Sequence, residues 1–353
     1  MQKVKPSELK AILRATFAAH LPTWVEGAPG IGKTKIHEQV AEELSMQFFP
    51  PLYLAMLDTV DLGGMNMPYI MPDGHRKLER LLDDWLEPVF SSKSPGVLLI
   101  DEATKGSLAV QSAAGPLLDA RRVGRHKLPD YITICAAGNR RKDRSGDNNI
   151  LTHITSRLTS VELVSCPIDW TARALVDKVH PWVISHIKAS PSSLHQFDAE
   201  KSYSANSAYP APRAWYKVGS LLEANVPQNL WLAVFEGTVG EAQARLFIAH
   251  CDLVQQEVDV LHILQGGKWK FPSKEKLGAR YAFAIGLGAC VQKDTIDRIV
   301  DIAKELADKG ETEYGEVIVQ TAIEAWSGTV TSNAWRNLQL HKLGQAFRST
   351  VRV

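Results

Sequence analysis

Cysteine is scarce and scattered in this sequence: Cys135, Cys166, Cys251 and Cys290 are the only four in 353 residues, and none makes a C-x-x-C pair. Such spacing argues against a zinc site or a disulfide framework and leaves reduced thiols as the expectation. Long apolar runs are missing too. No stretch of about 18 apolar residues occurs, which argues against a membrane-spanning helix, and the opening MQKVKPSELK lacks the apolar core of a secretory signal. A cytoplasmic location is expected. Neither sign of charge is in excess, with 40 Lys plus Arg against 39 Asp plus Glu and a net charge of +1. Attachment to nucleic acid or membrane by bulk charge is thereby disfavoured, while local basic patches stay open. The histidines do not pair with one another or with cysteine at ligand spacing, so His75, His126 and His153 read as surface or hydrogen-bonded residues. No G-x-S-x-G nucleophile motif occurs.

What the chain does contain is an ordinary globular composition, 45% hydrophobic and 22% charged, at a length of about two domains of ~150 residues. Up to about Val164 short apolar runs alternate with helical periodicity. A helix-like stretch at Ser7 to His20 is followed by strand-like Thr23 to Glu26, a glycine-rich turn and helix-like Lys33 to Ser45. Further apolar runs stand at Leu52 to Met56, Val97 to Ile100, Ile132 to Ala137 and Val161 to Val164, with a candidate helix at Ser107 to Ala120. Short buried strands alternating with helices predict an α/β fold with a mainly parallel sheet covered on both faces. From Asp169 strand signals fade, and six segments read as helices: Asp169 to Lys188, Pro212 to Ala224, Leu230 to Val254, Lys274 to Val291, Thr295 to Asp308 and Glu313 to Trp326. The Ser-, Ala-, Tyr- and Pro-rich stretch Ala189 to Ala211 reads as a linker. The expected organisation is therefore an α/β core over 1–188, a linker over 189–211 and a helical region over 212–353. Asp58 to Lys77, with Gly63-Gly64 and the turn signal Pro72-Asp73-Gly74, reads as an inserted hairpin or loop.

Two motifs carry chemistry. Gly27-Ala28-Pro29-Gly30-Ile31-Gly32-Lys33-Thr34 fits G-x-x-x-x-G-K-[ST], with a strand before it and a helix after it. Its glycines let backbone N–H groups converge on phosphate oxygens, Lys33 adds a cation at the β- and γ-phosphates, and Thr34 offers a hydroxyl to Mg²⁺. The run Val97-Leu98-Leu99-Ile100-Asp101-Glu102 is a buried strand ending in two acids. Asp101 at the strand's carboxyl end can reach Mg²⁺ beside Thr34, and Glu102 can polarise an attacking water. Both motifs belong to one nucleotide site, and together they imply hydrolysis.

With the later strand Ile132 to Asn139 and the segment Pro212-Arg213-Ala214, these motifs resemble an AAA+ ATPase. The phrase Leu117-Leu118-Asp119-Ala120-Arg121-Arg122-Val123-Gly124 is similar to one in the MoxR-like, dynein-related group, although Arg121 and Arg122 stand where many members have an acid. The resemblance covers about residues 5 to 225 and implies a P-loop core followed by an α-helical lid. It implies ATP and Mg²⁺ as cofactors, with Gly27 to Thr34 and Asp101 binding them and Thr34 and Asp101 holding the metal. Four catalytic roles are also implied: Glu102 on the attacking water, Asn139 as the polar sensor, Arg157 as an arginine finger offered to the neighbouring subunit, and Arg213 as a second sensor on the lid. Ser156 and Leu158 depart from the family's usual flanks around that finger. The resemblance further implies a homo-oligomeric ring, a hexamer by expectation, which remodels or matures a protein partner such as one carrying a von Willebrand A-type domain. Asp61 to Met65 is similar to the inserted loop that faces the ring pore in this group, though a plain surface hairpin fits as well.

Two basic clusters keep other readings open. Arg121, Arg122, Arg125, His126 and Lys127 precede the sensor strand, and Arg140, Arg141, Lys142 and Arg144 follow it. They could touch nucleic-acid phosphates, an acidic partner or a neighbour's ATP, and a solvated basic face accounts for them too. No aromatics interleave, as stacking on single strands would need. A nucleic-acid motor or loader of the same superfamily and a nucleotide-dependent assembly switch are the rival readings.

Overall fold

The computed structural model describes residues 1–81, 83–124, 126–143, 157–198, 208–345 and 347. Its compact units divide at Cys166 and Pro167: Met1–Cys166 forms the first, joined by Phe197 and Asp198, and the described residues of Pro167–Gln196 and 208–347 form the second. The segment 167–188, expected with the α/β core, thus groups with the helices.

The first unit is built on a sheet whose order is β1 (Gln2–Val4), β11 (Thr159–Leu163), β2 (Thr23–Gly27), β10 (Ile132–Gly138), β7 (Gly96–Asp101) and β3 (Gln47–Phe48), with β4 (Leu52–Tyr53) also on β7. All of these pairings are parallel. A strand covered on both faces reads as a near-continuous apolar run, and both β7 and β10 are buried throughout. Their alternate side chains enter different cores. Val97, Leu99, Cys135 and Ala137 pack with α1 (Pro6–Ala18) and α2 (Lys33–Glu43), whereas Leu98, Ile100, Ile134 and Ala136 pack with α5 (Leu108–Ala120). Burial pushes the Cys135 thiol up to about 12, so it is inert.

Two antiparallel hairpins project from this sheet. After α3 (Thr59–Gly63), β5 (Met65–Ile70) pairs with β6 (Arg76–Leu81) from Met65 opposite Leu81 to Ile70 opposite Arg76, in the region expected to be an inserted hairpin. Met65, Met67, Tyr69, Ile70, Leu78 and Leu81 are all exposed on it. Helix α4 (Leu86–Ser91) then leads into β7. The second hairpin, β8 (Arg122–Val123) with β9 (His126–Lys127), links α5 to β10.

The second unit is helical among the described residues: α6 (Pro167–Val176), α7 (Pro181–Ala189), α8 (Pro212–Glu223), α9 (Trp231–Val239), α10 (Glu241–Glu257), α11 (Val260–Leu264), α12 (Leu277–Ala289), α13 (Ile296–Asp308), α14 (Thr312–Ala325), α15 (Asn333–Leu338) and α16 (Lys342–Gln345). Two of the expected helices are divided. Asp169 to Lys188 breaks into α6 and α7, because Lys178 turns the chain at φ +57° and Pro181 starts a new helix. Leu230 to Val254 breaks at Gly240, whose φ of +82° no helix interior accommodates. Within this unit His186 and His250 sit among Trp215 and Phe247, and Ser185 Oγ lies 2.7 Å from His250 Nε2. Burial pushes His186 down to about 3, with His250 beside it adding to the effect, and pushes His250 down to about 4. Among the described residues no helix is long and apolar enough to cross a membrane.

Candidate nucleotide site

Parallel strands leave their carboxyl ends on one edge of the sheet, and ligands of open α/β sheets bind there. In this unit β10 lies between β2 and β7, with Gly138 in register with Glu26 and Ala136 with Ile100. The residues that follow the three strands are therefore neighbours, and these carry the two sequence motifs and the sensor position.

The turn after β2 reaches α2 through Gly30 and Gly32, at φ +77° and +98°. Only glycine holds that backbone without steric cost, which accounts for Gly32 and Gly30, whereas a Cβ on Gly27 would lie 2.6 Å from Ile31 Cδ1 and 2.9 Å from Leu163 O. Lys33 opens α2 and is buried. Its Nζ donates to Gly27 O at 2.9 Å, Ala28 O at 3.1 Å and Asn139 Oδ1 at 2.9 Å. The Thr34 hydroxyl donates to Asp101 Oδ2. A hydroxyl beside a carboxylate at the N-terminus of a helix is the hard-oxygen pair that Mg²⁺ takes from protein when phosphates and water supply the rest. Among the described residues there is no group of three or more His, Cys, Asp or Glu side chains able to hold a metal. The donor chemistry thus fits both a phosphate chain and Mg²⁺.

Glu102 follows in the left-handed region at φ +49° and ψ +34°, unusual for a residue with a side chain. Its amide donates to Asp101 Oδ1 at 2.8 Å, and its Oε1 accepts from Lys105 Nζ at 2.9 Å. Gly138, just before Asn139, has a close-packing role: a Cβ there would lie 2.5 Å from Trp24 Cη2 and 3.0 Å from Thr104. Lys33, Thr34, Asp101 and Asn139 are thus directly bonded in two pairs, and Glu102 is tied to Asp101.

Arg157 and Arg213 are not among these contacts. Arg157 Nε pairs with Asp119 Oδ2 at 2.9 Å, near the end of α5. A cavity of about 280 Å³ beside that pair is lined by Ser112, Gly115, Pro116, Leu118 and Ala120 as well. Arg213 is exposed in the first turn of α8, in the helical unit.

Two further groups, His37 and Glu26, are not among the site residues of the sequence reading, and Arg140, expected there as part of a basic cluster, has a structural partner instead. His37, fully buried one turn along α2, has its Nδ1 2.8 Å from Lys33 O. A carbonyl only accepts, so that nitrogen carries the hydrogen, and burial holds the ring's pKa down despite Asp101 nearby. Glu26 faces Glu162 across β2 and β11. Burial first, then Glu162, pushes its pKa up. Arg140 joins Asp143 at 2.8 Å and Glu162 at 3.1 Å, fixing the turn after Asn139.

Much of the suspected basic surface is spent in the same way. Arg121 ends α5 at φ +54° and donates to Pro129 O at 2.7 Å and Ile132 O at 2.6 Å. Lys127 pairs with Asp130 at 2.9 Å, and Lys142 lies 3.8 Å from Glu162. His75 and His126 are exposed, as expected; Arg125, Arg144 and His153 lie outside the described residues.

The fold and these contacts define an α/β core of P-loop type followed by helices. No family model and no curated protein matches the chain. Among solved structures, one from Cytophaga hutchinsonii, provisionally described as an ATPase, is similar at 17% identity over 69% of this chain and 79% of its own, with a TM-score of 0.31. NtrX from Brucella abortus is similar at 13% identity over 98% of this chain and 68% of its own, with a TM-score of 0.32.

Proposed function

We propose that the protein is an ATP-hydrolysing AAA+ ATPase of MoxR-like type, working as a homo-oligomeric ring, a hexamer, that remodels or matures a protein partner. The observation that carries the reading is the bonded set Lys33–Asn139 and Thr34–Asp101 at the ends of adjacent parallel strands. Gly27 to Gly32 would cradle the phosphates with backbone N–H groups, and Lys33 would move from its carbonyl acceptors to phosphate oxygen. Thr34 and Asp101 would hold Mg²⁺, which supplies charge neutralisation on the phosphates. Glu102 orients and deprotonates water, Asn139 holds that water or the terminal phosphate, Arg157 reaches the ATP of a neighbouring subunit, and Arg213 reports closure of the lid. The phrase Leu117 to Gly124 and the insertion at Asp61 to Met65 support the MoxR-like assignment and, with it, a partner carrying a von Willebrand A-type domain.

Rival readings are less well supported. Arg121, Lys127, Arg140 and Lys142 are engaged within the chain, which weakens a nucleic-acid motor. A binding switch without turnover leaves Glu102 without a role. The test is ATP binding and phosphate release by wild type, Lys33→Ala and Glu102→Gln. Lys33→Ala should lose binding, whereas Glu102→Gln should bind and not turn over. Wild-type turnover by Glu102→Gln would remove that residue from the mechanism.

A further inference from the structure

We infer that Lys105 is a positioning residue for turnover, which holds the Glu102 carboxylate in its working orientation; this rests on the reading of Glu102 given above. One lysine clasps one glutamate twice. Lys105 N donates to Glu102 O at 2.8 Å, closing the single 3₁₀ turn Ala103–Lys105, and Lys105 Nζ donates to Glu102 Oε1 at 2.9 Å. The turn is rigid for reasons of packing: Ala103 and Thr104 are buried, and Gly106 lies so close to Leu54 that a Cβ there would come within 2.9 Å of Leu54 Cβ. Its left-handed backbone and its amide bond to Asp101 fix where the Glu102 side chain starts. Its end is fixed by Lys105.

A glutamate has three rotatable bonds, and a general base must meet its water within hydrogen-bond reach. Misplacing a reacting group by about 1 Å can cost on the order of 10²-fold in rate. A half-exposed ion pair contributes little to folding, and Lys105 and Glu102 are 32% and 40% exposed at the side chain. The pair's value therefore lies in aim, which separates the two roles experimentally.

The experiment measures steady-state ATP hydrolysis and melting temperature for the full chain carrying Lys105→Met, Lys105→Arg, Glu102→Gln and the double variant Glu102→Gln with Lys105→Met. Lys105→Met should lower kcat about 10-fold or more, with KM for ATP within about 2-fold and the melting temperature within about 2 °C of wild type. Lys105→Arg, able to reach the same oxygen, should keep most of the activity. The double variant should be no slower than Glu102→Gln alone, because Lys105 acts through Glu102. Wild-type kcat in Lys105→Met, a raised KM at unchanged kcat, or a double variant slower than Glu102→Gln would each overturn the inference. An active Glu102→Gln would instead overturn the reading of the site on which it rests.

Discussion

Lys33 Nζ donates to Asn139 Oδ1 at 2.9 Å across 106 positions of sequence. On the function proposed above, the bond joins the lysine that would contact phosphate to the residue that would act as sensor after the next strand. Phosphate oxygen and the Asn139 amide oxygen are competing acceptors for the same ammonium. Asn139→Ala should accordingly leave ATP affinity within a few-fold of wild type and lower turnover about 10²-fold. Asn139→Asp should behave differently: a carboxylate would hold Lys33 by a charge-assisted bond and weaken nucleotide affinity about 10-fold. Titration with a fluorescent ATP analogue and a phosphate-release assay separate the two outcomes; equal affinities for the Ala and Asp variants would refute the competition.

Gly138 tests the packing behind the sensor. Alanine would place its Cβ against Trp24 and Thr104, and overpacking of a closed core costs about 1–3 kcal/mol. Gly138→Ala should lower the melting temperature by several degrees, and Trp24→Leu in the same chain should recover part of the loss. A melting temperature equal to wild type would mean that the strands separate freely at this point.

Arg157 should act in trans. Lys33→Ala and Arg157→Ala proteins, each nearly inactive alone, should regain activity when mixed, because some interfaces then contain both an intact phosphate loop and an intact finger. A finger is worth about 10³-fold or more, so a minority of repaired interfaces is measurable. Mixed rings shown by native mass measurement to hold both variants, yet inactive at every ratio, would end the intersubunit mechanism.

His186 and His250 make the helical unit acid-sensitive. Each is held neutral in the fold, with pKa values near 3 and 4 against 6.5 for the free ring. The unfolded chain therefore binds more protons below pH 6.5, and stability present above that pH is lost as the pH falls towards 4. The slope approaches about 1.4 kcal/mol per pH unit for each histidine. Urea unfolding followed by tryptophan fluorescence at pH 7.0, 6.0 and 5.0 should show it, and His186→Phe should flatten the dependence. An unchanged slope in that variant would assign the acid sensitivity elsewhere.

How legible each part was follows from how local its cause is. The places of Lys33 and Asp101 in the fold were legible because the glycine-rich turn before Lys33 separates a strand from a helix and the apolar run of β7 stops at Asp101. The sheet strands β7 and β10 were legible as apolar runs for the same reason. Strand β1 was not, since three residues of QKV carry no periodicity and acquire their strand state only by pairing with β11. Lys178 and Gly240 divided helices whose apolar spacing runs on without a break, because positive φ at one residue leaves the pattern of its neighbours intact. Arg121 looked like a surface cation. Its guanidinium instead supplies donors to Pro129 and Ile132, a demand created by the turn into β10 and invisible in composition. The Glu102–Lys105 clasp and the Arg140–Asp143 pair were each three residues apart, yet charged pairs at that spacing are too common in any chain to signal a site.

The place of β2 between β10 and β11 bears on how the protein is made. During synthesis the phosphate loop and its strand emerge roughly a hundred residues before either flanking strand exists, an interval of roughly 5–20 s at ordinary translation speeds. Until then the strand Thr23–Gly27 lacks both of its sheet neighbours, and unpaired strand edges are templates for pairing with other chains. A nascent chain stalled shortly after Gly27 to Glu43 would carry every glycine and lysine of the nucleotide motif and have no means of holding them in place. The Lys33–Asn139 bond can form only after residue 139 has been made, so the proposed site is completed late in synthesis.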